Sequence, residues 1–302
     1  DKLISVAQGK IFGAWCDLRE GSESFGEVIT HEIGPETAVF VPRGVANGFQ
    51  ALEDTSYSYL VNEHWSSEAR YAAVNLDIVD WPMVPTEVSE KDKQHPSLEE
   101  VSPMPARRIL VTGANGQLGR ALKRLLGDAE FCSHADFDIT NPPERNWKQY
   151  STIINCAAYN DVNGAENDRA AAWAVNAEGP AKLARIAAEN QITLVHVSSD
   201  YIFDGANEVH TEAELPSPLS AYGASKAPGD TAVQTAPQHY VIRTSWVFGD
   251  GENFMSTMRR LANKGVEPKV IHDQRGRPTF AEDLAKGIVH LLKSDADYGV
   301  YN

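Results

Sequence analysis

The stretch RILVTGANGQLGRALKRLL, residues 108–126, decides the fold of the chain. An apolar run is followed by a glycine-rich turn and then by apolar residues at helical spacing. Gly113, Gly116 and Gly119 have the spacing GxxGxxG, whereas the commonest dinucleotide-binding turn is GxGxxG. Glycine permits a tight turn and a close approach to a pyrophosphate, which the N-terminus of the next helix also favours. Three glycines also occur in ordinary turns, but their place after the first strand of a repeating pattern favours a dinucleotide site.

The pattern of this stretch repeats towards the C-terminus. Further apolar runs typical of buried strands are STIINCAA (151–158), ITLVHVSS (192–199) and YVIRTSW (240–246). Helical stretches such as AAWAVNAEGPAKLARIAAEN (171–190) lie between them. Alternating strands and helices predict an α/β fold, a doubly wound parallel sheet with helices on both faces, over residues 107–302.

The N-terminal part of the chain has a different pattern. Short β-like runs follow one another without an intervening helical period: KIFGAWCDL (10–18), TAVFVP (37–42), TSYSYLV (55–61) and YAAVNLDI (71–78). This pattern predicts an all-β barrel or sandwich over residues 1–84. Residues 85–106 are rich in proline and charge, which predicts an exposed linker before the second domain.

Composition excludes several classes of function. The 302 residues carry a net charge of −15 with a pI of about 5.0, which disfavours DNA or RNA as a partner. Cys16, Cys132 and Cys156 are widely spaced and form no CxxC pair, so neither a disulfide framework nor a zinc site is predicted. No apolar run has membrane-spanning length and no signal peptide is recognised, which predicts a cytoplasmic protein.

The segment AYGASK (221–226) places Tyr222 and Lys226 on one face of a helix. Ser199 and Asp200 follow a buried strand, at the edge of the sheet where ligands bind in this fold class. A tyrosine hydroxyl can protonate a carbonyl oxygen that receives a hydride, but a free phenol titrates near 10. A nearby ammonium favours the phenolate, so we expect Lys226 to lower the pKa of Tyr222. Serine and aspartate after a strand also cap helices, and such Tyr–Lys pairs are common.

The nature of the dinucleotide depends on the end of the second strand, within FCSHADFDIT (131–140). An acid there favours NAD, whereas a basic group favours NADP. His134 could accept a 2′-phosphate and Asp136 lies beside it, so we predict NADP with NAD tolerated. Asp138 and Ile139 are predicted to meet the adenine.

Residues 108–302 resemble the extended short-chain dehydrogenase/reductase superfamily and, within it, the dTDP-4-dehydrorhamnose reductase family. The resemblance rests on TGANGQLGR, DFDITNP, NCAAYNDVNGAE, VNAEGPAKLARIAAE, VHVSSDYIFDG, AYGASK, RTSWVFG and DQRGRPT. It implies NADPH-dependent reduction of the C4 ketone of dTDP-4-dehydro-L-rhamnose to dTDP-L-rhamnose. It also implies that Tyr222 is the proton donor, that Lys226 is its partner and holds the nicotinamide ribose, and that Ser199 is catalytic.

The resemblance carries further site residues over by position. Those implied to bind the cofactor are Gly113, Asn115, Gly116, Gln117, Leu118, Gly119, His134, Asp138, Ile139, Cys156, Ala157, Ala158, Tyr159, Ser198, Tyr222 and Lys226. Those implied to bind the substrate are Ser199, Asp200, Trp246, Asn253, Arg275 and Arg277, with the arginines around the nucleotide diphosphate. Pro228 departs from the family pattern, and because proline removes a helical hydrogen bond it is expected to kink the helix and shift Lys226.

Residues 1 to about 95 resemble the later part of the dTDP-4-dehydrorhamnose 3,5-epimerase family, a cupin-like β-barrel. The supporting strings are GKIFGAWCDLREGSESFGE, VFVPRGVANGFQAL, YSYLVNEHWSSEAR and DIVDWP. Tyr59 matches the acid tyrosine of that family, but Asn47 stands where the family has histidine and the catalytic histidine lies upstream of this resemblance. We therefore expect an epimerase-like fold that is inactive alone. The other histidines of this half, His31, His64 and His95, have no ligand spacing and predict no metal site.

Two alternatives remain open from the sequence. Another nucleotide-sugar epimerase or dehydratase would keep the fold and recycle a tightly bound NAD. A non-catalytic nucleotide-binding or regulatory subunit would bind the cofactor without turnover. Because cupin-like epimerases pair through their sheets, the resemblance also implies a homodimer.

Overall fold

Two antiparallel sheets of three strands share a core in residues Asp1–Ala106, the first of two units into which the chain divides. The computed structural model describes residues 1–62, 71–251, 253–268, 276–294 and 296–302. The strands of the first unit are β1 (Lys2–Gln8), β2 (Ile11–Asp17), β3 (Val28–Ile33), β4 (Ala38–Val41), β5 (Val45–Ala51) and β6 (Ser56–Val61). The sheet orders are β4-β1-β6 and β3-β2-β5.

Side chains along the strands of the first unit alternate between buried and exposed, and the buried ones form its core. Ile4 and Val6 of β1 are buried, and Val6 packs with Ile11 and Ile33 from the other sheet, whereas Leu3 next to Ile4 points outwards and is exposed. Each fully buried aliphatic side chain contributes about 1.5–3 kcal/mol to folding. The all-β prediction for this half is confirmed, and its antiparallel sheets are consistent with a cupin-like domain.

The end of the first unit differs from the sequence prediction in two places. The run at residues 71–78 forms no strand; it is irregular and ends in a 3₁₀ turn, Leu76–Ile78, whose Leu76 carbonyl accepts a hydrogen bond from Trp81 Nε1 at 3.0 Å. Residues 96–106, predicted as exposed linker, pack on the sandwich. Val101 is buried, and backbone bonds join Met104 to strand β2's continuation at Leu18 (2.7 Å).

The second unit, Arg107–Asn302, is an α/β fold around a six-stranded parallel sheet. Its strands are β7 (Arg108–Thr112), β8 (Glu130–Cys132), β9 (Tyr150–Asn155), β10 (Thr193–Ser199), β11 (His239–Thr244), β12 (Val247–Phe248), β13 (Thr279–Phe280) and β14 (Gly299–Tyr301). Its helices are α1 (Gln117–Leu125), α2 (Gly164–Asn167), α3 (Arg169–Trp173), α4 (Gly179–Asn190), α5 (Ala221–Val233), α6 (Phe254–Asn263) and α7 (Ala281–Lys293). A π turn, Ala174–Glu178, joins α3 to α4.

The strand order of the main sheet is β14-β11-β10-β9-β7-β8, and every pairing within it is parallel. Helices α4 and α5 cover one face, where Leu183 and Val233 pack with Leu110 and Ile153, and α1 and α7 cover the other. Strands buried on both faces are largely apolar, which is why the sequence revealed them. The order reverses between β7 and β9, so the ligand crevice of this fold class opens at their carboxyl ends. The doubly wound prediction is confirmed.

Candidate active site

The glycine turn after β7 brings the backbone close to the end of β9. Gly113 has φ of +68°, and a Cβ on it would lie 2.7 Å from Ala157 N and from the carbonyl carbon of Cys156. Gly119 in α1 allows a second close approach, because its Cβ would lie 2.5 Å from Gly113 O. Neither position accommodates a larger side chain without moving backbone.

The beginning of α1 fits a pyrophosphate. Its N-cap is Gly116, which provides no side-chain cap, so the first amide groups of the helix have no hydroxyl or carboxylate partner there. Asn115 and Gly116 are exposed while Leu118 is buried and anchors the helix, with Gln117 between them. Exposed amides at a helix N-terminus attract anions, so these residues suit the phosphates of a dinucleotide.

The loop after β9 lies across the switch point from this turn. Residues Cys156, Ala157, Ala158 and Tyr159 are all half-buried. Ala157 N donates to Asn155 Oδ1 at 3.3 Å, and that amide oxygen also accepts from Thr112 Oγ1 at 2.7 Å. The side chains at the ends of β7 and β9 thus hold the two loops together.

The residues predicted to select the nucleotide differ in their surroundings. His134 is exposed after β8, and Asp136 Oδ2 accepts hydrogen bonds from Ser133 N (2.9 Å) and Oγ (2.6 Å). Asp138 is likewise engaged locally by Thr140. Ile139 is only 3% exposed and packs against Gly179 of α4. Its side chain therefore belongs to the core, and only its backbone is left to meet an adenine.

Helix α5 carries Tyr222 and Lys226 into the carboxyl edge of the sheet. Ser220 caps the helix by accepting from Gly223 N at 3.1 Å. Tyr222 is 8% exposed and Lys226 is 1% exposed, and Lys226 Nζ donates to Val197 O of β10 at 2.9 Å. The lysine thereby spans from the helix to the sheet, and its charge acts on the thiol of Cys156 beside the glycine turn. The two motifs predicted to act together lie in one site.

The expected tuning of the phenol is not what the structure shows. Burial raises the pKa of Tyr222 to about 12, although a hydrogen bond with Ser199 lowers it and the negative charge of Asp200 raises it further. Burial lowers the pKa of Lys226 to about 8, against the opposing effect of Asp230. The prediction that the ammonium pulls the phenol below 10 neglected burial, which disfavours the charged form of both groups.

Ser199 and Ser198 have different environments at the end of β10. Ser199 Oγ donates to Asp200 Oδ1 at 3.2 Å and accepts from Tyr201 N at 3.2 Å. Ser198 is buried on the same face of β10 as His196, which α5 covers. Ser199 is therefore the one of these two serines that is hydrogen-bonded to Tyr222.

Pro228 does not interrupt α5. The helix continues from Ala221 to Val233 across the proline, and Lys226 remains one turn from Tyr222. Only the helical hydrogen bond from residue 228 to the Ala224 carbonyl is lost, since proline has no N–H. The expected kink and displacement of Lys226 are therefore not observed.

Asn176 is a site residue that the sequence analysis missed. It lies in the π turn, is 1% exposed and exchanges two hydrogen bonds with Tyr159: Tyr159 N donates to its Oδ1 (2.9 Å) and its Nδ2 donates to Tyr159 O (3.1 Å). Its Nδ2 also donates to Ser225 Oγ at 3.0 Å. It thus ties the loop after β9 to α5. The signal was an asparagine within the alanine-rich run AAWAVNAEGP.

The predicted substrate residues after β11 form a second group. Trp246 has φ of +41°, which is rare for a residue other than glycine, and its ring lies against Gly276 with 42% of the residue exposed. Asn253 caps α6: its Oδ1 accepts from Ser256 N at 2.9 Å, and its Nδ2 donates to Gly249 O at 2.9 Å and to Gln117 Oε1 at 3.3 Å. The side-chain oxygen and nitrogen of Asn253 are thus already hydrogen-bonded within the protein. Arg277 is exposed, and Arg275 lies outside the described residues.

The matched residues of the first unit also come together. Lys2 Nζ donates to Asn47 Oδ1 at 2.9 Å and lies 5.5 Å from the centre of the Tyr59 ring. Tyr59 is 56% exposed. An asparagine amide cannot act as a proton-transfer base, so this cluster has no general base at Asn47. His31 is exposed and His95 half-buried, while His64 lies outside the described residues.

Two kinds of feature are absent from the part of the chain that the structure describes. Within it, no three or more His, Cys, Asp or Glu residues form a group that could hold a metal ion. No helix in the same ranges is long and apolar enough to cross a membrane.

Comparison with family models covers almost the whole chain. Residues 107–302 match the model of the RmlD substrate binding domain. Residues 1–100 match the model of dTDP-4-dehydrorhamnose 3,5-epimerase. Each match coincides closely with one of the two units.

Comparison with individual proteins concerns the second unit. The chain is 40% identical over 209 residues to a dTDP-4-dehydrorhamnose reductase of Mycobacterium tuberculosis, covering 65% of this chain and 67% of the relative. A crystal structure of a dTDP-4-dehydrorhamnose reductase from Clostridium acetobutylicum is similar with a TM-score of 0.59 at 38% identity, covering 64% of this chain and 72% of that one. A Bacillus anthracis dTDP-4-dehydrorhamnose reductase solved in complex with NADP has a TM-score of 0.58 at 35% identity, covering 65% and 73%.

Proposed function

Because the chain belongs to the family of the RmlD substrate binding domain, we propose that its second unit reduces the C4 ketone of dTDP-4-dehydro-L-rhamnose to dTDP-L-rhamnose with NADPH. The observation that carries the proposal is the convergence of Ser199, Tyr222 and Lys226 on the sheet edge that holds the glycine turn. Relatives at 35–40% identity are named dTDP-4-dehydrorhamnose reductases, one of them bound to NADP.

Each group of the proposed site has its own role in the reaction. NADPH, when bound along the glycine turn, supplies a hydride to the ketone carbon. Ser199 Oγ holds the substrate oxygen by a hydrogen bond, and Tyr222 donates its phenolic proton to that oxygen. The ammonium of Lys226 stabilises the phenolate that remains, which matters because burial otherwise disfavours it. A buried site also excludes water that would compete for the proton.

Substrate and cofactor contacts outside this triad are proposed from the resemblance. Arg275 and Arg277 would meet the nucleotide diphosphate, since a guanidinium pairs with phosphate in a bidentate fashion. Trp246, exposed and held by its strained backbone, would contact the sugar. His134 is exposed where a 2′-phosphate would lie and supports NADP, with NAD tolerated.

The test is consumption of NADPH with dTDP-4-dehydrorhamnose as substrate, followed by its absorbance. We expect Tyr222→Phe to reduce kcat by at least about 10²-fold while NADPH still binds, because only the proton donor is removed. Tyr201→Phe is the matched control: its ring packs edge-on against Tyr222 at 5.6 Å, and the variant is expected to retain turnover. Absence of turnover with every dTDP-keto sugar offered would refute the reductase. Sugar conversion without net NADPH loss would instead indicate an NAD-recycling epimerase or dehydratase, and cofactor binding alone a regulatory subunit.

For the first unit we propose an epimerase-like fold without catalysis of its own. The support is the amide at Asn47, which is hydrogen-bonded to Lys2 where a base would be required. dTDP-4-keto-6-deoxyglucose offered with NADPH should be reduced only when a separate epimerase is added. Reduction without that addition would contradict the proposal.

We also propose that the chain forms a homodimer in the cytoplasm. Leu3, Phe40 and Leu60 are paired across β4, β1 and β6 and are 41%, 64% and 72% exposed, an apolar row suited to pairing of sheets. Leu60→Glu should therefore reduce the mass measured by sedimentation to that of the monomer. The proposed substrate and cofactor are charged nucleotides, which supports the cytoplasmic location.

A further inference from the structure

A buried carboxylate lies among basic groups behind the proposed proton donor. Asp230 is 0% exposed and follows Lys226 by four residues on α5, so the two side chains share one face of the helix. Asp230 Oδ2 accepts from Arg243 Nε of β11 at 3.1 Å. Arg243 is itself 6% exposed, and its Nη1 donates to Glu212 O at 3.3 Å.

The second oxygen of this carboxylate faces β10. Asp230 Oδ1 lies 3.9 Å from Nε2 of the buried His196; burial raises the pKa of Asp230, and a hydrogen bond from the Ser198 hydroxyl lowers it. Nδ1 of His196 is bonded to Asn155 Nδ2 at 3.0 Å. Burial and the charge of Lys226 hold the pKa of His196 well below its ordinary value, so this imidazole is neutral.

The charges around Lys226 can therefore be counted. The titratable groups acting on it are Asp230 from its own helix, Cys156 from the loop after β9 and His196 from β10. Burial raises the pKa of Cys156 to about 12, so the thiol is neutral. Among the described residues named here, two buried cations, Lys226 and Arg243, thus lie in the field of one carboxylate, Asp230, which bonds Arg243 directly and acts on Lys226 through its charge.

We propose that Asp230 is a positioning residue of the reductase, the buried counter-ion that keeps Lys226 protonated, and that Arg243 competes for it. This inference rests on the proposed function, in which the ammonium form of Lys226 is the active one. Because a guanidinium does not lose its proton in proteins, any deficit of negative charge falls on Lys226. Burial already lowers the pKa of Lys226 to about 8, which leaves little margin near neutral pH.

The competition predicts opposite effects of two substitutions on the pH profile of kcat/KM. Asp230→Asn removes the counter-ion, so the alkaline loss of activity should begin about one pH unit or more lower. Arg243→Gln leaves the carboxylate to Lys226 alone, so the loss should begin roughly 0.5 to 1 unit higher. Asp230→Glu keeps the charge and should restore a near-native profile. His196→Asn replaces a neutral group and should leave the alkaline limb in place.

A measurement without turnover separates this inference from the reductase proposal. The folded-state pKa of Lys226 lies below the ordinary 10.5, so between the two values the unfolded chain binds more protons and the free energy of unfolding rises with pH. In Asp230→Asn this rise should begin at lower pH, and adding Lys226→Met should abolish it. In the full chain, the unfolding transition to measure is the one whose midpoint changes when NADPH is added, because NADPH is proposed to bind the second unit.

The outcomes discriminate clearly. An inactive wild type with the expected unfolding slopes would refute the reductase and retain the counter-ion. If Asp230→Asn does not fold, the pH profiles of Arg243→Gln and Asp230→Glu still test the inference. Unchanged alkaline limbs, or shifts of the same sign in Asp230→Asn and Arg243→Gln, would overturn the inference.

Discussion

Replacing Gly113 by alanine tests the close approach between the glycine turn and β9. The backbone of Gly113 has φ of +68°, which costs an alanine about 1–2 kcal/mol. The new Cβ would also lie 2.7 Å from two backbone atoms of the loop after β9, and relieving such an overlap costs typically about 1–3 kcal/mol. We therefore expect a loss of about 2–5 kcal/mol of unfolding free energy.

Gly205 provides the matched control in the same unit. Its φ of +71° is almost the same, but nothing lies within 4 Å of the Cβ that alanine would add. Gly205→Ala should therefore cost only the conformational part, about 1–2 kcal/mol. For a unit of this size, 1 kcal/mol corresponds to about 2–4 °C in Tm.

The assay is the Tm of the NADPH-sensitive transition, with NADPH affinity measured by fluorescence. Gly113→Ala should melt lower than Gly205→Ala by about 4–8 °C if the overlap costs about 2 kcal/mol, and should weaken NADPH binding at least about tenfold. Equal Tm values for the two variants would show that the loops do not meet as described. An unchanged NADPH affinity in Gly113→Ala would show that this turn is not the dinucleotide site.

Three further predictions concern other parts of the chain. Hydrogen bonds from Arg19 and two serines hold the pKa of Asp17 well below its usual range. The ionised Asp17 therefore stabilises the first unit above about pH 4, and this stabilisation is lost as the pH falls further. Asp17→Asn should make the unfolding free energy of the first unit less dependent on pH in this acid range. Asn253→Ala removes the cap of α6 and should lower stability by about 1 kcal/mol in denaturant titration, whereas Asn253→Asp keeps a capping oxygen and should lose less. Burial raises the pKa of Cys156 to about 12, so its alkylation at pH 8, followed by mass spectrometry, should be much slower than that of a free thiol, and fast labelling would contradict the described packing.

The sequence predicts the second unit well because its strands are buried on both faces. Such strands are largely apolar, and the turn chemistry of Gly113 has no substitute. The prediction of a strand at residues 71–78 was wrong because a short apolar run does not reveal whether a neighbouring strand is available to pair with it. There the chain packs through Val74 without joining a sheet.

Residue types and spacing also predict the proposed catalytic pair, but not its electrostatics. Tyr222 and Lys226 are recognisable from their separation, whereas the direction of each pKa shift depends on burial by distant parts of the chain. Asp230 and Arg243 were missed although a signal existed, since each is a charged residue in a helix or strand that is otherwise buried. A charge placed in an apolar strand usually has a partner, and the partner is identifiable only from the fold.

The π turn between α3 and α4 makes the length of this segment as important as its composition. Each residue of an α-helix advances the chain by about 100°, so a turn that is one residue wider rotates everything after it relative to what precedes. Deleting one residue from Ala174–Glu178 would restore an unbroken α-helix but would turn either Asn176 away from Tyr159 or Leu183 away from the sheet. Insertions and deletions should therefore be tolerated in the exposed loops and rejected here.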